Sequence, residues 1–189
     1  MSTVSYVSLG CPKALVDSEH IVTALADENF EVVGENDDTD VVVVNTCGFI
    51  NQAKAESYAA IETAMENEQQ VVVTGCLGVE KEDLLRRYPN LKFVSGPGDT
   101  AQVVKAVKSL NGESVDRLYD PALVGRDSVN RVLLTPGHYA YLKIAEGCNH
   151  KCTFCIIPTM RGPLASKTLG ELVEEAKALV ENGVKELLL

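Results

Sequence analysis

Apolar residues come in two rhythms along this chain: short β-branched runs, and longer stretches in which they recur at helical spacing. Val4–Leu9 reads as a strand, and Asp17–Asn29 as a helix with Ile21, Val22 and Leu25 on one face. A short strand follows at Glu31–Val33. Val41–Asn45 opens with four consecutive valines, as expected of a strand covered on both faces in a parallel sheet. Gln52–Asn67 predicts a helix whose inner stripe is Ile61, Ala64 and Met65. The alternation continues through strand Val71–Thr74, helix Lys81–Tyr88, strand Lys92–Val94 and helix Thr100–Leu110. This βαβα order predicts an α/β fold with a doubly wound parallel sheet over residues 1–111.

Periodicity fades over 112–138, where Gly112, Pro121, Gly125, Pro136 and Gly137 punctuate a polar linker. Tyr139–Ala145 then predicts a new strand, Leu169–Asn182 an amphipathic helix, and Lys185–Leu189 the opening of another strand. Residues 139–189 thus read as the first βαβ unit of a (β/α) barrel. A chain closing on a buried strand is expected to be the front part of a longer protein.

Composition changes this picture in two ways. The chain has 189 residues, is 46% apolar and lacks Trp, so its core must rest on Val, Leu, Ile and Ala. Its formal charge of −10, from 27 acidic and 17 basic residues, disfavours direct binding of nucleic acid and suits a basic partner. Val41–Val44 and Val71–Val73 are too short to span a bilayer, and Met1–Gly10 lacks the character of a signal peptide. A cytoplasmic protein with no membrane partner is the expectation. There its six cysteines point to metal or redox chemistry and not to disulfides.

The cysteines form two sets. Cys148, Cys152 and Cys155 follow a predicted strand as C-x3-C-x2-C. Three thiolates on one loop can each hold one iron of a cubane, leaving the fourth iron open to a chelating substrate. A zinc site completed by His150 is the competing reading. Cys11, Cys47 and Cys76 each fall just past the carboxyl end of a different strand, and in an open parallel sheet those ends share one edge. Gly10, Gly48, Gly75 and Gly78 beside them permit tight turns and close backbone approach to a bulky group. Three buried small hydrophobes would be the bland alternative. The arrangement predicts a second cluster with three protein ligands.

These segments resemble the radical methylthiotransferases, a family within the radical S-adenosylmethionine (SAM) superfamily. The residues carrying the likeness are LGCPKALVDSE (9–19), VNTCGFI (44–50), VTGCLG (73–78) and, most specific, YAYLKIAEGCNHKCTFCIIPTMRGPL (139–164). Ala14 departs from the Asn expected in the first segment. The branch that modifies an aspartate of the twelfth small-subunit ribosomal protein matches best. Transfer-RNA-modifying relatives carry other residues where this chain has Pro12-Lys13-Ala14 and Gly48. A transfer-RNA methylthiotransferase, or a non-catalytic iron–sulfur or zinc module, is the alternative.

The resemblance implies two 4Fe-4S clusters, SAM as cofactor and an electron donor as partner. The cluster on Cys148, Cys152 and Cys155 would reduce SAM to a 5′-deoxyadenosyl radical that takes hydrogen from the aspartate β-carbon. The cluster on Cys11, Cys47 and Cys76 would present the methylated sulfur, giving β-methylthioaspartate. It also implies that Phe154 lies near the adenine; packing under the loop is the other reading. Without the rest of the barrel the chain by itself is expected to be inactive. Among the remaining residues, Lys13 reads as solvated or as a charge near the first-domain cluster. Asp17 and Glu19 read as first-turn helix residues favoured by the macrodipole. Asn45 and Thr46 would shape the turn that presents Cys47. Arg161 is open to contact with cofactor or substrate, or to a surface role. His20 and His138 take no role.

Overall fold

The computed structural model describes residues 2–34, 39–112 and 131–189. Pro121, Gly125 and most of the predicted linker lie outside the described residues. Five strands, β1 (Thr3–Ser8), β2 (Glu31–Val33), β3 (Val41–Thr46), β4 (Gln70–Gly75) and β5 (Phe93–Val94), form one sheet in the order β2-β1-β3-β4-β5. Every pairing in it is parallel. The strand order reverses between β1 and β3, which makes the crevice beyond their carboxyl ends the ligand-binding position of such sheets.

Helices cover both faces, as the valine-rich strands require. On one face α1 (Pro12–Asp27) and α4 (Thr100–Leu110) bury Ile21, Leu25, Val103 and Val107 against Val4, Val41, Val43 and Val72. On the other, α2 (Asn51–Glu66) and α3 (Lys81–Arg87) bury Ile61, Ala64 and Leu84 against Val42, Val44, Val71 and Val73. Alternate valines of one strand therefore feed two separate cores. Met65, predicted to share the inner stripe of α2, packs at its margin.

α1 begins earlier than predicted. Cys11 is its N-cap and Pro12 occupies the first turn, where a missing N–H costs nothing. Asp17 and Glu19 are therefore not first-turn residues; they lie mid-helix and are buried. The polar run Asp17–His20 interrupts the apolar stripe, which hid the first turn from a periodicity reading.

The segment after residue 131 forms a second unit. β6 (Tyr139–Tyr141) pairs parallel with β9 (Glu186–Leu188), joined through α6 (Leu169–Glu181). This is the βαβ opening expected of a barrel. α6 starts on a capping box, Thr168 accepting from the Glu171 N–H while the Glu171 carboxylate accepts from the Thr168 N–H. The predicted strand Tyr139–Ala145 is broken: β6 ends at Tyr141, and β7 (Ala145–Glu146) pairs antiparallel with β8 (Ala165–Ser166). Lys143 and Glu146 turn to charged partners there, which takes them out of the strand. The buried core of this unit is small, consisting of Ala140, Leu142, Leu179 and Val184.

The two units meet along α1 through buried charge. Arg131 Nε donates to Glu19 Oε2 at 2.8 Å, and its Nη1 pairs with Glu175. Leu134 N donates to Glu19 Oε1 at 2.9 Å, and Val132 N to Thr23 Oγ1 at 2.8 Å. Lys143 Nζ reaches Asp17 Oδ1 at 2.5 Å.

His20, expected to take no role, shares this interface. Burial holds its pKa down to about 3, with Arg131, Lys143 and Lys167 pushing the same way and Glu175 opposing. The unfolded chain, with an ordinary value of about 6.5, binds the proton first. Stability from this group is thus full above that value and is lost as pH falls toward 3. Urea unfolding at pH 7 and pH 5 should show a loss larger by about 2 kcal/mol in the parent than in His20→Gln. Equal losses in the two would remove His20 as the cause.

Candidate functional site

The cysteines of the first domain converge. Cys11 lies three residues past the end of β1, while Cys47 and Cys76 directly follow β3 and β4. All three line one cavity of about 790 Å³ beyond the carboxyl edge of the sheet, at the β1/β3 switch point.

Each thiol is held by its own local device. Cys47 is fixed by α2: Ser57 Oγ accepts from the Cys47 N–H at 2.9 Å and donates to its carbonyl at 3.0 Å. Asn45 Nδ2 donates to Ala14 O at 2.9 Å and to Ser18 Oγ at 2.8 Å, which ties the β3 end to α1. Thr46 Oγ1 donates to Thr74 O at 2.6 Å, joining the β3 and β4 ends. Asn45 and Thr46, expected to shape the turn before Cys47, instead end β3 and tie that strand to α1 and β4. Cys76 opens a 3₁₀ turn, Cys76–Glu80, after Gly75, whose φ of +91° only glycine adopts readily. Gly78 packs so tightly that a Cβ there would overlap the Ser95 carbonyl.

The second set sits on the loop between β7 and α5 (Ile157–Arg161). Cys148 N donates to Gly162 O at 3.1 Å and Cys155 N to Cys152 O at 3.1 Å. Gly147, at φ +71°, lies so close to the Pro163 carbonyl that a side chain could not be placed there. Phe154 is 91% exposed, so packing under the loop is excluded. His150 is exposed and meets Cys148 through its backbone, its N–H lying 3.4 Å from the sulfur.

The second unit reaches the first-domain set through the residues that flank its own cysteines. Gly147, Ile157, Met160 and Arg161 of the second unit line the cavity of the first-domain cysteines. Arg161 is buried and takes no surface role; its Nη1 lies 2.8 Å from Glu146 Oε2 and 3.2 Å from Asp17 Oδ2. Lys13 is partly solvated and also crosses the gap, donating to Ala145 O at 2.9 Å. Burial pushes the Cys76 thiol pKa up, while the Arg161 guanidinium pulls against that shift. Burial alone would raise the Glu146 carboxyl, but Lys143 and Arg161 outweigh it and hold the group below the usual range.

Sequence reasoning missed Asp17, Glu19, Arg131 and Lys143 as the residues that place one cysteine set against the other. The available signal was charge inside the apolar pattern of α1, with basic residues late in the linker and just after it.

All six cysteines are free thiols, and among the described residues no group of three His, Cys, Asp or Glu side chains is arranged to hold a metal ion. The donor set nonetheless suits an iron–sulfur group. Three thiols from three strand ends line one space, and the Gly10 backbone and the cationic side chains of Arg161 and Lys13 line it beside them. No helix among the described residues is long and apolar enough to cross a membrane.

A doubly wound sheet with thiols at its switch point, followed by a βαβ unit bearing C-x3-C-x2-C, defines the class. Residues 142–189 match the family model of the radical SAM superfamily, and residues 3–96 match that of "Uncharacterized protein family UPF0004". The solved structure of the cobalamin-dependent S-adenosylmethionine radical enzyme OxsB aligns over 97% of this chain and 32% of that protein. Its TM-score of 0.53 at 14% identity is a likeness of fold alone.

Over nearly its whole length the chain is similar to curated proteins named as methylthiotransferases. The protein from Methylorubrum extorquens named ribosomal protein uS12 methylthiotransferase RimO is 54% identical over 187 residues, covering 98% of this chain and 40% of the relative. The protein of the same name from Bordetella pertussis is 53% identical over 185 residues, covering 98% and 42%. The chain therefore spans about two fifths of the length of the curated relatives it matches.

Proposed function

We propose that this chain, as part of a longer protein, serves a radical SAM methylthiotransferase that adds a methylthio group to the β-carbon of an aspartate in ribosomal protein uS12. Cys11, Cys47 and Cys76 hold one 4Fe-4S cluster, and Cys148, Cys152 and Cys155 hold another. The observation that carries this reading is the cavity of the first-domain thiols, which Gly147 and α5, on either side of the second cysteine set, help to line. Transfer of a sulfur to a carbon radical needs the two centres to adjoin.

When bound, clusters of this kind supply the electron that cleaves SAM and the sulfur that is transferred. The chain's residues do the rest. Each cysteine ligates as thiolate, so its replacement removes a cluster instead of slowing a step. Arg161 favours the ionised form of Cys76 against the cost of burial. Glu146 and Asp17 hold Arg161 and Lys143 in place, fixing the loop of the second set against α1. Phe154, fully available on the loop, is the adenine contact in this reading. The acidic chain suits a basic ribosomal protein as partner.

The test is anaerobic reconstitution followed by iron, zinc and acid-labile sulfide analysis, beside the Cys148→Ala, Cys152→Ala, Cys155→Ala triple variant. About eight irons per chain are expected in the parent and about four in the variant. Zinc without sulfide would overturn the reading. The chain by itself should release no 5′-deoxyadenosine under reducing conditions, whereas the longer protein should release it with uS12 present. Modification of transfer RNA in place of uS12 would reassign the substrate.

A further inference from the structure

Arg161 follows the second cysteine set in sequence but faces the first in space. Its side chain is 3% exposed and lines the cavity of Cys11, Cys47 and Cys76. Nη1 is engaged twice, by Asp17 and Glu146. Nη2 is buried and has no nitrogen or oxygen acceptor, and the guanidinium meets the Cys76 thiol on the cavity side. A guanidinium carries five N–H donors, and a buried donor left unmet costs about 1–3 kcal/mol. Two carboxylates already balance its charge, so what remains for Nη2 is an acceptor on the cavity side. The acceptor there is the Cys76 thiol, which lines the same cavity as Cys47 and Cys11.

We propose that Nη2 of Arg161 donates a hydrogen bond to a sulfur of the iron–sulfur group held by Cys11, Cys47 and Cys76, so that the segment of the second set supplies a positioning contact to the first. The inference rests on the reading of those cysteines as cluster ligands. Asp17 and Glu146 grip one arm of the guanidinium and leave the other directed at the cavity. A cationic donor at a cluster sulfur favours the reduced form, which carries more negative charge, and so raises the midpoint potential.

The experiment uses the 189-residue chain carrying Cys148→Ala, Cys152→Ala and Cys155→Ala, which isolates the first-domain site. The protein is labelled with guanidino-¹⁵N arginine, reconstituted with iron and sulfide, reduced and examined by pulsed electron paramagnetic resonance. A ¹⁵N coupling to the cluster spin is expected, and it should vanish in Arg161→Lys. Arg161→Gln should lower the midpoint by about tenfold in the reduction equilibrium, or about 59 mV for a one-electron couple. A loaded cluster of about four irons with no ¹⁵N coupling overturns the inference while leaving the function intact. A coupling that survives Arg161→Lys assigns the contact to another arginine and also overturns it. Failure of the triple variant to bind iron removes the reading of the function, and the inference with it. Because the coupling is read in the chain with Arg161 present, poor folding of either substitution does not block the decision.

Discussion

Arg131→Met should lower the free energy of unfolding by about 3–5 kcal/mol, the range for removing one partner of a buried ion pair. Arg131 and Glu19 are each only 1% exposed, so water cannot screen the carboxylate left behind. The same substitution strips the Tyr141 carbonyl of a donor and frees one oxygen of Glu175, which keeps Lys167 at 2.8 Å. The urea midpoint reads the total loss. Hydrogen exchange locates it: amides of β6, α6 and β9 should lose protection first, because Arg131 joins that unit to α1. Combining Glu19→Met with Arg131→Met should recover part of the loss, since two apolar groups need no counter-charge. A single variant that loses less than about 1 kcal/mol would show that the network behaves like a solvent-screened surface pair.

Gly75→Ala should cost at least as much, by sterics instead of charge. A Cβ there would lie 2.7 Å from Thr46 N and nearer still to Thr46 O and Asn45 Oδ1. The backbone, at φ +91° and ψ −166°, is in a region that residues other than glycine avoid at about 1–3 kcal/mol. Asn45 cannot simply move aside, because it holds Ala14 and Ser18 of α1. Relief must come from the β3 and β4 ends, which would shift Cys47 and Cys76 together. Iron retained on the first-domain cysteines should fall to near zero, while iron on Cys148, Cys152 and Cys155 persists. Gly98→Ala is the control: its φ is +75° but nothing lies within 4 Å of the added carbon, so only modest backbone strain is expected. Equal iron retention in the two variants would mean that the geometry at Gly75 does not place the thiols.

Much of this arrangement could be read from residue order. The valine runs at 41–44 and 71–73 announced strands covered on both faces, and parallel strands put the residues that follow them on one edge. Cys11, Cys47 and Cys76 meet there for that reason. What could not be read was long-range charge. Asp17 and Glu19 are ordinary helix residues until Lys143, Arg161 and Arg131 arrive from more than a hundred positions away. The break in Tyr139–Ala145 has the same origin: a largely apolar run suggested one strand, but Lys143 serves an ion pair instead of a sheet face. The short helix Ile157–Arg161 was lost among prolines and glycines, although it carries the guanidinium that reaches the first-domain thiols.

The small core of the second unit bears on how the chain folds as it is synthesised. Ala140, Leu142, Leu179 and Val184 offer too little apolar area to hold a two-stranded βαβ unit alone. The five-stranded sheet, by contrast, needs nothing beyond residues 3–110, and can close before Arg131 leaves the ribosome. α1 then stands ready with Glu19 and Asp17 on its outer side, a template against which the later segment condenses. The order of translation thereby becomes an order of assembly, in which the sheet is finished first and orients the loop bearing Cys148, Cys152 and Cys155.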